Sequence, residues 1–390
     1  MTLAGKTAFV TGGSGFIGGR LIEVLTGQMG MRVRTLVRAT TSAGGGAFRA
    51  AAAGAEMVFG SLLDEELLER ELVGADIVFH CAYGMHGSNA EQREVTVEGT
   101  RKLARAAAKA GVSHFINLGT VASYGDNGPA MVPEDYEDPN LWAWPYAHDK
   151  RDAEKALAEV SAATGLPFTV LRLGAVYGPY GGSFTVMPIN TLLNGRNALV
   201  DDGAGISNAT YVDDVVQAML RAAMREGTGQ RYMIRGPDSP TWRQFYEAYE
   251  RMLGCDALVS MSPSDMKAAR RAEWLSSARR LVPETLSALK ASPGFKRTAA
   301  GLGLRTLYQK VGGKRRVAAP AVARPASGPA ADNRPIQLIP PVMLGYFANR
   351  SQFSIAKAQA ELGYAPAYDL EKGMALTEQW ARWANLLPEK

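Results

Sequence analysis

Cysteine is scarce in this chain: its 390 residues include only Cys81 and Cys255. Two thiols are too few for a disulfide framework, and a reducing, cytoplasmic setting is expected. Histidine is nearly as rare. The four present (His80, His86, His114 and His148) do not gather with cysteines at metal-ligand spacing, which argues against a resident metal. Long apolar runs are missing too; no stretch approaches the roughly 18 residues that a spanning helix needs. The opening "MTLAGKTAFVTGG" enters a strand and a glycine turn without a signal-peptide core or cleavage site. There is no internal repeat. What remains is ordinary globular composition, 46% hydrophobic and 21% charged. The length suffices for two cores, or for one large core with an appended lobe.

The net charge of +5 conceals an asymmetry. Residues 261–316 hold 13 basic side chains against Asp265, Glu273 and Glu284, a local charge of +10, so the rest of the chain sums to −5. Within it, "PSDMKAARRAEWLSSARRLVPETLSALK" spaces Met266, Trp274, Leu275, Leu281 and Leu286 mostly at helical intervals, with Pro283 as a break. A pair of solvated lobe helices is the plain reading. The sharper ones are contact with an anionic membrane surface or an acidic carrier protein. Aromatic interleaving is absent, and no nucleic-acid partner is expected.

The first half alternates short β-branched runs with helical patterns, which predicts an α/β fold with a doubly wound parallel sheet. Strands are expected at "KTAFVT", "RVRTLV", "AEMVFG", "DIVFHCA", "SHFINLG" and "FTVLRLG". Intervening helices are expected at "FIGGRLIEVLTGQ", "LLDEELLERELVG", "REVTVEGTRKLARAAAKAG" and residues 145–164. The expected organisation is a Rossmann domain over 1–175, to which 209–228 returns, and a smaller, mainly helical substrate lobe over 176–390. That lobe would carry the basic insertion 261–316 and a flexible, Ala/Pro-rich linker over 317–336.

"TGGSGFIGG" follows the first strand and opens the first helix, with Gly12 or Gly13, Gly15 and Gly18 in Gly-x-Gly-x-x-Gly register. Glycines permit the tight turn and the close approach of a pyrophosphate, which the helix N-terminus then attracts. An acid about 20 residues further on would bind the 2′-hydroxyl of NAD, whereas an arginine accommodates a 2′-phosphate. "RTLVRAT" places Arg38 there with no acid beside it. NADP(H) is therefore the expected cofactor, with NAD(H) the alternative.

"PYAHDK" sets Tyr146 four residues before Lys150, one helical turn apart on the same face. With 14 tyrosines in the chain, chance alone gives about half of one Tyr-x-x-x-Lys, so context decides. The context is a series of segments in order: "TGGSGFIG", "VTVEGTRKLARAAAKAGVSHFINLGTVASYG", "PYAHDK", "VLRLGAVYGP", "YVDDVVQAM" and "FSIAKAQAELGY". Together they resemble the extended short-chain dehydrogenases/reductases, over about residues 5–250 and 345–385. That group includes sugar-nucleotide epimerases, 3β-hydroxysteroid dehydrogenases and dihydroflavonol reductases.

The resemblance implies that Tyr146 is the acid/base, that Lys150 lowers its pKa and holds the nicotinamide ribose, and that Thr120 orients the substrate oxygen. Gly12, Gly13, Ser14, Gly15, Phe16, Ile17, Gly18, Arg38, Ser61, Leu62, Ala82 and Val176 complete the expected cofactor contacts. Tyr83, His86, Ser123 and Asn208 are candidate substrate contacts, and a homodimer is the expected assembly. His148 points off the Tyr/Lys face.

Three departures narrow the chemistry. Val121 and Ala122 replace the Asp-Glu of sugar-nucleotide dehydratases. Ser207 and Asn208 stand where many sugar-nucleotide enzymes place a phosphate-binding arginine. Ser61 replaces an adenine-side Asp. The expected activity is hydride transfer to or from a carbonyl or alcohol carbon of a lipophilic or polycyclic small molecule. The rivals are a sugar-nucleotide epimerase with tightly held NAD and a non-catalytic dinucleotide-binding scaffold or sensor.

Overall fold

A computed structural model describes residues 2–38, 45–125, 131–133, 136, 141, 143–272 and 334–388. The chain begins β1 (Thr7–Thr11), α1 (Phe16–Gly27), β2 (Arg32–Val37), α2 (Gly45–Ala52), β3 (Glu56–Phe59), α3 (Glu65–Glu71) and β4 (Ile77–His80). Next come α4 (Asn89–Arg93), a π-helical turn (Glu94–Glu98), α5 (Gly99–Lys109), β5 (His114–Thr120), β6 (Met131–Val132), α6 (Pro145–Thr164), β7 (Phe168–Leu173) and β8 (Ala175–Tyr177). α7 (Met187–Asn194), β9 (Arg196–Val200), β10 (Ala209–Tyr211), α8 (Val212–Ala223), β11 (Arg231–Ile234), α9 (Trp242–Leu253) and β12 (Leu258–Met261) follow. A helix at 263–272 is α10. The C-terminal elements are β13 (Ile336–Gln337), α11 (Leu344–Ala348), β14 (Gln352–Phe353) and α12 (Leu370–Trp383).

Seven strands pair in parallel in the order β11-β7-β5-β4-β1-β2-β3. Alternation along each strand explains the two layers of helices. Val10, Phe79, Ile116 and Leu171 point into one core with Leu21 of α1 and Val215 of α8. Their neighbours Phe9, Val78, Phe115 and Val170 point into the other, with Leu68, Leu103 and Leu157 of α3, α5 and α6. Each such fully buried side chain contributes roughly 1.5–3 kcal/mol. Strand order reverses between β1 and β4, and their carboxyl ends diverge into the crevice where sheets of this kind bind ligands.

One strand and one helix were not legible in advance. β11 is the seventh strand, so the return to the sheet runs on to residue 234, and α2 fills the gap between β2 and β3. The C-terminal region also carries strand as well as helix: β12-β9-β13 form a small sheet, and β10-β8 and β14-β6 form pairs.

Of the basic segment, residues 261–272 are described; there Met266 is buried and Arg270 donates to the Leu338 carbonyl at 3.0 Å. The amphipathic pattern beyond 272 and the linker up to 333 lie outside the described residues. Residues 334–336, assigned to that linker, are docked: Arg334 donates to the Asp256 carbonyl (3.2 Å), and Ile336 pairs with Arg196. Among the described residues, no helix is long and apolar enough to cross a membrane.

Candidate active site

The glycine turn lies between β1 and α1 at the reversal point. Gly12 has φ +72°, and a side chain there would come within 2.9 Å of the Ala82 nitrogen on the neighbouring strand end. At Gly18 a side chain would strike the Gly12 carbonyl oxygen, so the helix can sit this close to the turn only without one. Gly15 caps α1, and an added Cβ would meet nothing closer than the Gly12 oxygen at 3.1 Å, which leaves the approach to the helix end open. The first turn of α1 has no acidic residue and no side-chain cap, so its N–H groups and positive dipole end suit a phosphate. Ser14, Phe16 and Ile17 are half-buried around this turn, and Val176 is half-buried in β8. Arg38 is exposed immediately beyond β2. The Ser61 hydroxyl accepts from the Leu63 N–H (3.1 Å), and Leu62 is buried.

A directed hydrogen-bond chain fixes the loop after β4. Thr100 donates to the Thr96 carbonyl (2.6 Å), so it must accept from His80 Nε2 (2.9 Å). Burial, helped by Lys150, pulls His80 down to about 3, so its neutral Nδ1 accepts from Thr11 Oγ1 (2.7 Å). Thr11 in turn accepts from the Ala82 N–H (3.3 Å), while Gly84 N–H donates to Thr96 Oγ1 (2.9 Å). The π turn before α5 carries Thr96, which holds the Gly84 N–H, and leads directly into Thr100. Tyr83 is thereby presented to the crevice.

At the reactive end, Thr120 closes β5, and its hydroxyl accepts from the Ala122 N–H (3.2 Å). Pro145 starts α6 at the first helical position, which places Tyr146 in the opening turn and Lys150 one turn deeper. The Thr120 hydroxyl lies near enough to the Tyr146 phenol to favour its ionised form. Burial pushes the Tyr146 phenol well above its ordinary value; Tyr83 adds to this, and the Thr120 hydroxyl opposes it. Tyr146 therefore holds its proton at neutral pH, the form from which a phenol donates. Lys150 is 5% exposed, and burial pulls its ammonium down to about 8 against the opposing pull of Glu154 and then Cys81. Aromatic rings surround the phenol: Tyr83 at 5.4 Å edge-on, Trp144 at 4.9 Å, and Tyr346 at 5.8 Å from Trp144.

The structure thus brings Thr120, Tyr146, Lys150 and Tyr83 together. Other expected contacts fall elsewhere. Asn208 is 3% exposed and both ends of its amide are taken: Nδ2 donates to the Ser351 carbonyl (3.1 Å), and Oδ1 accepts from the Phe353 N–H (3.2 Å). It ties β14 to the loop before β10 and is not presented to a substrate. Ser207 is likewise spent on the Pro240 carbonyl, at 2.8 Å. Ser123 is 1% exposed in the 3-10 turn after β5, and its hydroxyl has no hydrogen-bond partner among the described residues. His86 and His148 are exposed. Trp144, Tyr346 and the buried acid Glu154 had no motif to mark them; only the N-terminal end of α6, read for neighbours of Tyr146, could have raised Trp144.

A parallel sheet with a glycine turn at its reversal point, and a Thr/Tyr/Lys group at the adjoining strand end, defines a dinucleotide-binding enzyme of the short-chain dehydrogenase/reductase type. The profile of the NAD dependent epimerase/dehydratase family matches residues 8–234. The chain belongs to that family. A relative from Stigmatella aurantiaca, 4-hydroxy-2-methyl-3-oxo-4-farnesyl-3,4-dihydroquinoline-1-oxide ketoreductase, is 29% identical over 281 residues, covering 71% of this chain and 82% of its own. Two solved structures share the fold. UDP-glucose 4-epimerase of Thermotoga maritima, with UDP-glucose, superimposes with a TM-score of 0.66 at 22% identity, covering 97% of this chain and 99% of its own. The dTDP-glucose 4,6-dehydratase DesIV of Streptomyces venezuelae, with NAD and TYD bound, gives 0.67 at 22% identity, covering 97% of each chain.

Proposed function

We propose that the protein is an NADP(H)-preferring ketoreductase acting on a lipophilic, ring-bearing ketone. The observation that carries this reading is a protonated Tyr146 beside the Thr120 hydroxyl, one helical turn from a buried Lys150, with the hydrophobic Val121 and Ala122 following Thr120. A dehydratase needs acids at those two positions.

When bound, the reduced nicotinamide supplies a hydride to the carbonyl carbon. The Thr120 hydroxyl hydrogen-bonds the carbonyl oxygen and fixes its orientation. Tyr146 gives its phenolic proton to that oxygen as the negative charge develops, and the Lys150 ammonium stabilises the resulting tyrosinate until solvent returns a proton. Gly12, Gly15 and Gly18 make room for the pyrophosphate at the N-terminus of α1. Arg38, exposed just beyond β2, would meet a 2′-phosphate. Tyr83, Trp144 and Tyr346 offer ring faces and edges to a flat substrate. Ser207 and Asn208, which stand at the phosphate-clamp position, have no polar group left for one. The ketoreductase relative, whose named substrate is a farnesylated bicyclic ketone, supports the same class.

The test is to incubate the purified protein with NADPH and a panel of bicyclic aromatic ketones, following loss of reduced-nicotinamide absorbance, with UDP-glucose run in parallel. Ketone-dependent oxidation of NADPH supports the reading. Interconversion of UDP-sugars by protein carrying NAD that dialysis does not remove would replace it with the epimerase reading.

A further inference from the structure

Beneath the Tyr146–Lys150 face lies a buried ion pair that the mechanism above does not use. Glu154 and Arg172 have side chains 1% and 4% exposed. Glu154 Oε2 accepts from Arg172 Nη2 (2.6 Å) and Nε (3.1 Å), Oε1 accepts from Nε (3.2 Å), and Arg231 Nε approaches Oε2 at 3.3 Å. Two features tie the pair to the reactive end. Glu154 stands one turn after Lys150 on α6, hence on the same face. Its carboxylate also presses on β5 at Gly119, the residue before Thr120, where a methyl group would come within 2.5 Å of Oε1 and 3.0 Å of Arg172 Cγ. The Arg172 guanidinium in turn lies over the Tyr124 ring, 4.4 Å from its centroid, in the turn that Thr120 caps.

We propose that the Glu154–Arg172 pair is a positioning element for Lys150: the Glu154 carboxylate, held and partly neutralised by Arg172, keeps the buried lysine in its ammonium form next to Tyr146. This rests on the Tyr146/Lys150 reading of the site. A lysine this deeply desolvated tends to lose its proton, and a neutral amine could not stabilise a tyrosinate. The groups facing Lys150 are Tyr146 and Glu154 on α6, His80 and Cys81 at the end of β4, and Tyr83 in the loop beyond. His80 is held neutral by burial, and burial pushes the Cys81 thiol up to about 12, so both are uncharged near neutral pH. Tyr146 and Tyr83, both pushed up by burial, are uncharged there as well. Glu154 is the one carboxylate in this set. Arg172 tempers it, so the lysine is supported without being locked into a direct salt bridge.

The pair predicts shifts of opposite sign. In protein labelled with ¹³C at the lysine ε-carbon, with the Lys150 signal assigned by its loss in Lys150→Arg, the titration midpoint is expected near 8 in the native protein. It should fall by about one pH unit in Glu154→Gln and in the Glu154→Gln/Arg172→Gln double variant, which keeps a neutral hydrogen-bonded pair and spares the core an unpaired charge. It should rise in Arg172→Gln, where the carboxylate is less neutralised. Loss of packing alone would not move the two single variants in opposite directions. An unmoved midpoint in the double variant, or a shift of the same sign in both single variants, overturns the proposal. Because the signal is read without substrate or turnover, it stands or falls separately from the ketoreductase assay.

Discussion

Replacing Lys150 with methionine should stabilise the protein while abolishing its proposed activity. Burial holds the ammonium near 8 against an ordinary lysine value of 10.5. At about 1.36 kcal/mol per unit, that difference is roughly 3 kcal/mol against the charged form. The folded value lies below the unfolded one, so between pH 8 and 10.5 the unfolded chain binds more protons. Native stability is therefore lowest below pH 8 and rises through that window. Methionine has similar length and no charge to desolvate. Urea unfolding of nucleotide-free protein at pH 7 should show Lys150→Met more stable than native by about 2–3 kcal/mol, with the gap closing towards pH 10.5. A variant less stable at pH 7, or a gap that does not change with pH, would refute the reasoning that a desolvated charge is being held at this site.

Three further outcomes follow from the geometry. Arg38→Ala should raise the KM for NADPH about 10- to 100-fold, the loss of a charged hydrogen bond worth roughly 1.5–3 kcal/mol, and leave the KM for NADH unchanged; steady-state kinetics with both nucleotides checks it. Asn208→Ala removes the bonds to Ser351 and Phe353 at a position with φ +47°. It should cost about 2–4 kcal/mol in chemical unfolding without altering either KM. Trp144→Ala should raise the KM for a bicyclic aromatic ketone about 3- to 10-fold, as expected for an aromatic contact of 0.5–1.5 kcal/mol, and should affect a saturated ketone of similar size less.

The parts of this site that could be read from the sequence are those specified by short spacing. Gly12, Gly15 and Gly18 lie within one turn of chain, and Tyr146 and Lys150 within one turn of helix, so local geometry alone puts them together. Six of the seven sheet strands were legible because each reads as a short run of β-branched or apolar residues, and β1, β4, β5 and β7 are buried along their whole length. β11 was not: "RYMI" is brief and polar at its start, and it gains strand character by pairing with β7. The partners of Glu154 come from β7 and β11, and those of His80 from β1 and α5, so no motif joins them. Asn208 was misjudged because its neighbours Ser351 and Phe353 lie more than 140 positions away in the chain. Tyr346 reaches Trp144 only through the packing of the C-terminal region.

The central claim is that the Tyr146 hydroxyl delivers the proton. Its most direct test is Tyr146→Phe, assayed for NADPH-dependent ketone reduction alongside NADPH binding. The account predicts a kcat lower by about 100- to 10,000-fold, the range of general acid catalysis, with nucleotide affinity unchanged. Near-normal turnover in that variant would contradict it.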